Sequence, residues 1–181
     1  MKILGLDLET TGLLEGNNDK DHRIIEIAAI IYSDNKVQKW EQRIQPKRSI
    51  DAKAQEVHGI SLIELSGKPT WKTIAPKIHK LLSSVDLLVA HNGDNFDFKF
   101  LRLEFERIGM SMPTTPTFDT MVNGNWATAF GKPPNLGELC FATGVEYDKS
   151  KAHAALYDVK VMMDAYFEGV KLGFFEKGEC K

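Results

Sequence analysis

Residues 3–9 read Ile-Leu-Gly-Leu-Asp-Leu-Glu, and no other stretch constrains the fold as strongly. The alternation predicts a strand with Leu4, Leu6 and Leu8 on one face and Gly5, Asp7 and Glu9 on the other. Two acids therefore share a face in a segment otherwise made for a core. Ionised groups are costly there unless they are paired or bound to metal. An edge strand with a solvated acidic face is the alternative, but Ile3 and the apolar alternation suit a central strand better.

With 181 residues the chain has room for one core, and no internal repeat or Gly/Ser-rich or Pro-rich linker divides it. One domain is expected over residues 1–175, with a short C-terminal tail over 176–181. The 23 Lys and Arg against 25 Asp and Glu leave a formal charge of −2. That balance gives no overall basic field to hold duplex nucleic acid, so a phosphate-bearing partner needs a local site. The run from Met1 to Leu8 is too short for a signal h-region and is broken by Asp7, and no uncharged stretch approaches the roughly 20 residues of a membrane span. A soluble, cytoplasmic protein is expected. Cys140 and Cys180 show no C-x-x-C spacing, and His22, His58, His79, His91 and His153 include no i, i+4 pair. A disulfide framework and a zinc face are thus not indicated, whereas hard-metal chemistry through carboxylates stays open.

Strands are expected over residues 3–9, 23–33 and 36–44, the last two joined across Ser33-Asp34-Asn35 as an antiparallel ribbon. Helical spacing follows near 52–58 and 71–84, with Pro76 leaving the start of the second open. A buried strand over 85–90 precedes a helix over 94–108 that Gly109 can end in left-handed geometry. Residues 117–121 form a last strand, 136–142 a short helix capped by Asn135, and 154–172 a final helix. Strands first and strand–helix alternation later imply a mixed sheet covered by helices.

The helix near Asp94 repeats the anomaly of the first strand. With Phe96 at zero and about 100° per residue, Lys99, Arg102 and Glu106 cluster within a roughly 60° solvated sector, and the opposite direction falls within about 10° of Asp97. Glu104 lands near the same inward direction, and a helix-start acid favoured by the dipole is the simpler reading of Asp97. Asp158 precedes the apolar series Val159, Met163, Tyr166 and Val170. His153 lies about 140° from it if both are helical, so the two converge only if His153 sits on the loop before the helix. A mobile histidine beside acids fits a general base, and a solvated surface histidine is the plain alternative.

Taken together, Asp7-Leu8-Glu9-Thr10-Thr11-Gly12, His91-Asn92-Gly93 through Phe96-Asp97, and His153 through Asp158 resemble the three exonuclease motifs of the DnaQ-like (DEDD) 3′→5′ exonucleases. The motifs stand in the family's order, and Val57-His58-Gly59-Ile60 resembles a further segment that many members carry. The resemblance implies a ribonuclease H-like α/β fold: a mixed five-stranded sheet, its first three strands antiparallel, with helices on both faces. The spacing from His153 to Asp158 is similar to the subclass with a catalytic histidine, and Ala154 stands where the other subclass has tyrosine. One extra residue in the 91–97 segment makes it more similar to the Trex-type DNA exonucleases than to replicase proofreading subunits, and with the short stretch after the last helix it favours a stand-alone nuclease.

From the resemblance, Asp7, Glu9, Asp97 and Asp158 are expected to hold two Mg²⁺ ions, with Mn²⁺ able to substitute, and His153 to deprotonate the attacking water. The implied reaction releases 5′-mononucleotides from the 3′ end of single-stranded or frayed DNA. Leu8, Thr10, His58, Ile60 and Asn92 are expected near the terminal nucleotide, with ordinary loop packing as the other reading of His58 and Ile60. The residues on their own account agree on one point: four acids gathered without cations raise one another's pKa values. Oxygen ligands beside a phosphate favour Mg²⁺. Phe96, Phe98, Phe100 and Phe105 are assigned to packing. An exoribonuclease of the same family, and a nucleic-acid-binding module that does no chemistry, are the alternatives.

Overall fold

The computed structural model describes residues 1–14, 21–34 and 36–176. Asn35 of the expected turn, Cys180 and residues 177–181 of the expected tail lie outside them.

The apolar alternation forms the strands it predicts. β1 (Ile3–Thr10), β2 (Ile24–Ser33) and β3 (Lys36–Arg43) pair antiparallel in that order. β4 (Leu87–Ala90) pairs parallel with β1, and β5 (Thr117–Asp119) parallel with β4, so the sheet runs β3-β2-β1-β4-β5. β1 is therefore the middle strand, and its two acids do not lie on a solvated edge. β3, with mostly exposed side chains, takes one edge. The architecture is the mixed, helix-covered five-stranded sheet expected from the residues and the resemblance.

Among the described residues six α-helices cover it: α1 (Ala52–His58), α2 (Leu62–Leu65), α3 (Trp71–Leu82), α4 (Asp97–Glu106), α5 (Leu136–Thr143) and α6 (Ala155–Lys171). Leu4, Leu6 and Leu8 pack with Ile78, Leu82, Phe98, Phe100 and Phe105 of α3 and α4 on one side. Ile3, Ala28, Ile30 and Val89 pack with Cys140 of α5 and Val159, Met163 and Tyr166 of α6 on the other. Each such side chain contributes on the order of 1.5–3 kcal/mol when fully buried. At Gly5 a Cβ would overlap Met163, so the glycine lets α6 sit directly on β1.

Boundaries moved for local reasons. The helix expected from 94 starts at Asp97, because Asn92 adopts a left-handed backbone (φ 64°) and a turn fills 92–96. Gly109 ends the helical stretch at φ 73°, as expected. β5 stops at Asp119 because its carboxylate accepts the N–H groups of Met121 and Val122 and closes a turn there. A 3₁₀ turn over Val122–Ala127 follows, which periodicity did not reveal. Pro76 lies within α3, exposed, without ending it. Asn135 caps α5 in a reciprocal pair with Glu138. Among the described residues no helix is long and apolar enough to cross a membrane.

Candidate active site

Three elements bring four carboxylates to the end of β1. Asp7 and Glu9 leave the strand on the face that receives α6. Asp97 is the first residue of α4 and is 1% exposed. Asp158 lies in the first turn of α6, so two helix N-termini face the strand end and favour negative charge there. His153 lies outside α6, in left-handed geometry (φ 65°), and its N–H donates to Asp158 Oδ2 at 2.8 Å. The condition for His153 and Asp158 to converge is met.

The electrostatics follow from that convergence. Burial, then the charges of Asp158 and Glu26, raise the Asp7 carboxyl to about 8. Burial, then Asp7, Glu26 and Asp158, raise Glu9 to about 9. Asp97 is pushed well above the ordinary carboxylate range by burial and by Asp7, and Asp158 is raised by burial. Asp97 Oδ1 and Asp158 Oδ1 are buried without a hydrogen-bond partner. Glu104, the other inward acid of α4, differs: it accepts from Arg23 Nε and Nη2 at 2.6 and 2.7 Å and pairs with Arg107 Nη1 at 3.1 Å. The simpler reading of Asp97 as a helix-start acid does not account for its burial or its orphaned oxygen.

These groups fit hard divalent cations: the donors are carboxylate oxygens, they repel one another, and two oxygens lack partners. Among the described residues no three His, Cys, Asp or Glu side chains already stand as a ligand set for one ion. What the acids share is a mutual field.

A cavity of about 650 Å³ opens over three of them, lined by Asp7, Leu8, Glu9 and Thr10 from β1, by His153 and Asp158, and by Val57 and His58 of α1; Asp97 is not among its lining residues. Of the residues expected near a terminal nucleotide, Leu8, Thr10 and His58 reach it. Ile60 does not: it is 3% exposed and packs with Ile25 and Leu65. Nor does Asn92, whose N–H donates to Asp119 and whose side chain accepts from Asn95. Phe98, Phe100 and Phe105 are fully buried, as assigned. Phe96 also packs against the core, edge-on to Phe100, as assigned, but it stands half-buried before the helix and lines the cavity as well. Tyr157 is engaged elsewhere, its hydroxyl accepting the Asp148 N–H at 2.6 Å.

Two further acids escaped the sequence reading. Asp119, 2% exposed, accepts backbone N–H groups from Asn92 and Asp94 at 3.0 Å, besides Met121 and Val122, and so fixes the turn that delivers Asp97. Glu26 stands opposite Glu9 on β2. The signal for Glu26 was a lone acid in an apolar run, Ile24-Ile25-Glu26-Ile27; Asp119, between Phe118 and Thr120, carried no such signal.

Comparison with known proteins places these features in a wider set. The RNase T family model, described as an exonuclease, matches residues 4–166. The DNA polymerase III subunit epsilon of Pasteurella multocida is 30% identical over 182 residues, covering 96% of this chain and 71% of that protein. Among solved structures, the zinc-bound complex of E. coli exonuclease I with single-stranded DNA superposes with a TM-score of 0.76 at 21% identity, over 94% of this chain and 40% of that one. This chain thus spans about two-fifths of exonuclease I. The nuclease domain of 3′hExo, described as a DEDDh family member bound to rAMP, gives a TM-score of 0.74 at 16% identity, covering 99% and 96%. The extra residue in the 91–97 segment is therefore compatible with likeness to a replicase subunit.

Proposed function

Because the chain belongs to the RNase T exonuclease family, the DnaQ-like nucleases, we propose that it hydrolyses the terminal phosphodiester at the 3′ end of single-stranded or frayed DNA and releases 5′-mononucleotides. The observation that carries this reading is the convergence of Asp7, Glu9, Asp97 and Asp158, two of them with unpartnered buried oxygens, beside an exposed histidine.

In this reading the four carboxylates hold two Mg²⁺ ions, or Mn²⁺ in their place. Such ions, when bound, lower the pKa of water and stabilise both the attacking and leaving oxygens of an in-line displacement. Asp7, the acid that shares its field with Asp97, Asp158 and Glu9, would serve as the common ligand in this reading. His153, on the cavity rim and free of the helix, takes the proton of the attacking water on a ring nitrogen. Leu8 and Thr10 bound the floor for the terminal sugar, and Leu13, Val57 and Phe96 offer apolar surface to the terminal base. With a net charge of −2 the chain relies on this pocket for affinity, which favours a threaded single strand over a gripped duplex.

The epsilon-subunit likeness favours DNA and a proofreading type of trimming, with a polymerase as partner or with the chain acting alone. The 3′hExo domain, bound to rAMP, favours the second reading, an exoribonuclease. One digestion decides between them: end-labelled single-stranded DNA, mismatched duplex and RNA of common sequence, with Mg²⁺, for the parent and Asp7→Ala. Nucleotide release from DNA by the parent alone is expected. A large preference for RNA selects the second reading, and full activity in Asp7→Ala removes both.

A further inference from the structure

Glu9, Glu26 and Arg43 form one row across three neighbouring strands, Glu9 in register with Glu26 and Glu26 with Arg43. Register partners share a sheet face, so the row begins in the carboxylate cluster and ends at the sheet edge. Like charges directly opposite one another destabilise a sheet, yet Glu26 is 5% exposed beside Glu9. Arg43 accounts for its retention. Its Nε donates to Glu26 Oε2 at 2.8 Å and its Nη1 to Glu64 Oε1 at 3.0 Å. Glu64 in turn accepts from Ser61 N and Oγ at the start of α2, which fixes the guanidinium from both ends. Neither Glu26 nor Arg43 lines the cavity. The Glu26 charge nevertheless reaches it, acting on Asp7 and Glu9 alike, and Arg43 bears on the cluster through Glu26.

We propose that Glu26 and Arg43 are positioning residues that set the cation affinity of the carboxylate cluster, Glu26 by adding negative charge beside Glu9 and Arg43 by offsetting it. The inference rests on the metal-ion reading given above. A cation at the cluster responds to the summed charge of its ligands and of the groups behind them. Without Arg43, the buried Glu26 charge is left uncompensated: the metal-free fold weakens while its pull on a cation grows. Without Glu26, the guanidinium, still held by Glu64, stands two strands from Glu9 with no negative charge between them, and its positive field opposes a cation there. The two substitutions thus move cation affinity in opposite directions, which an ion pair of purely structural value does not do.

The test compares the parent, Arg43→Met, Glu26→Gln and the double variant, each metal-free at the start. Mn²⁺ binding is read by electron paramagnetic resonance, and melting temperature is followed during Mg²⁺ titration. Arg43→Met should melt lower without metal and bind Mn²⁺ about tenfold tighter, and Glu26→Gln should bind about tenfold more weakly. The double variant should return to within about twofold of the parent, since the charge behind Glu9 is then unchanged in sum. If Arg43→Met does not fold, Glu26→Gln and the double variant carry the comparison. Unmoved midpoints in folded variants, with only melting temperatures lowered, overturn the inference and leave the metal site standing. A parent that binds neither ion overturns both.

Discussion

Asp158 Oδ2 accepts the backbone N–H of His153 at 2.8 Å, so the carboxylate of α6 fixes the peptide that carries the imidazole. His153 holds a left-handed backbone at φ 65°, which for a residue with a side chain costs on the order of 1–3 kcal/mol. The hydrogen bond offsets part of that cost. It also leaves Asp158 Oδ1 buried and unpartnered, while His153 remains exposed on the cavity rim. In the proposed reading one carboxylate thus has two tasks, to hold the base and to face the metal.

His153→Ala should therefore separate the two. Loss of a general base lowers the rate of nucleotide release by about 10²–10⁴-fold. The four carboxylates are untouched, so the gain in melting temperature on adding Mg²⁺ should match the parent's. Single-turnover release from an end-labelled oligonucleotide, beside melts with and without Mg²⁺, measures both. Loss of the Mg²⁺ response together with the rate would place His153 among the ligands and not as the base.

Stability without metal should fall as pH rises. Burial and neighbouring charge raise Asp7 to about 8 and Glu9 to about 9, well above their values in an unfolded chain. The folded state then keeps protons that the unfolded state releases. The stabilisation is fully present below the unfolded carboxylate range and is lost as pH climbs through the folded values. With chelator present, the melting temperature should be higher near about pH 6 than near about pH 9, and the increment given by Mg²⁺ should grow over the same window as the cation replaces the protons. A metal-free melting temperature that is flat or rising across that window would contradict the clustering.

Much of this site was legible in the chain because its signals are local. Acids at alternate positions of an apolar strand mark Asp7 and Glu9, and an acid opposite a solvated helical sector marks Asp97. What escaped depends on pairing between distant segments. Nothing in Ile24-Ile25-Glu26-Ile27 says that Glu26 meets Glu9 on one side and Arg43 on the other, because register is settled by the assembled sheet. Asp119 reads as a turn former, and its work on the Asn92 and Asp94 N–H groups spans more than twenty residues of sequence. Phe96 packs as its apolar surroundings predict, but its share in the cavity is not legible, because the helix begins one residue later and leaves it on the turn. Ile60 was carried into the pocket by its motif, but the hydrophobic contacts of Ile25 and Leu65 claim it.

The two inward acids of α4 give the sharpest contrast, because one helix presents both. Glu104 is satisfied by two guanidinium groups and by the Ile24 N–H, and its side chain is 1% exposed. Removing one charge of such a pair leaves Arg23 and Arg107 partly uncompensated, so Glu104→Gln should lose about 3–5 kcal/mol of stability. Its Mg²⁺ response should be unchanged, because Glu104 takes no part in the cluster. Asp97 is the reverse case: its Oδ1 has no partner and its neighbours are like charges. Asp97→Asn removes a repulsion at nearly constant volume, so the metal-free protein should melt no lower than the parent, while nucleotide release and stabilisation by Mg²⁺ are lost. Chemical denaturation of both variants, with chelator and with saturating Mg²⁺, makes the comparison. An Asp97→Asn protein that keeps the parent's Mg²⁺ increment, or a Glu104→Gln protein that loses it, would assign the cation to the wrong end of the helix.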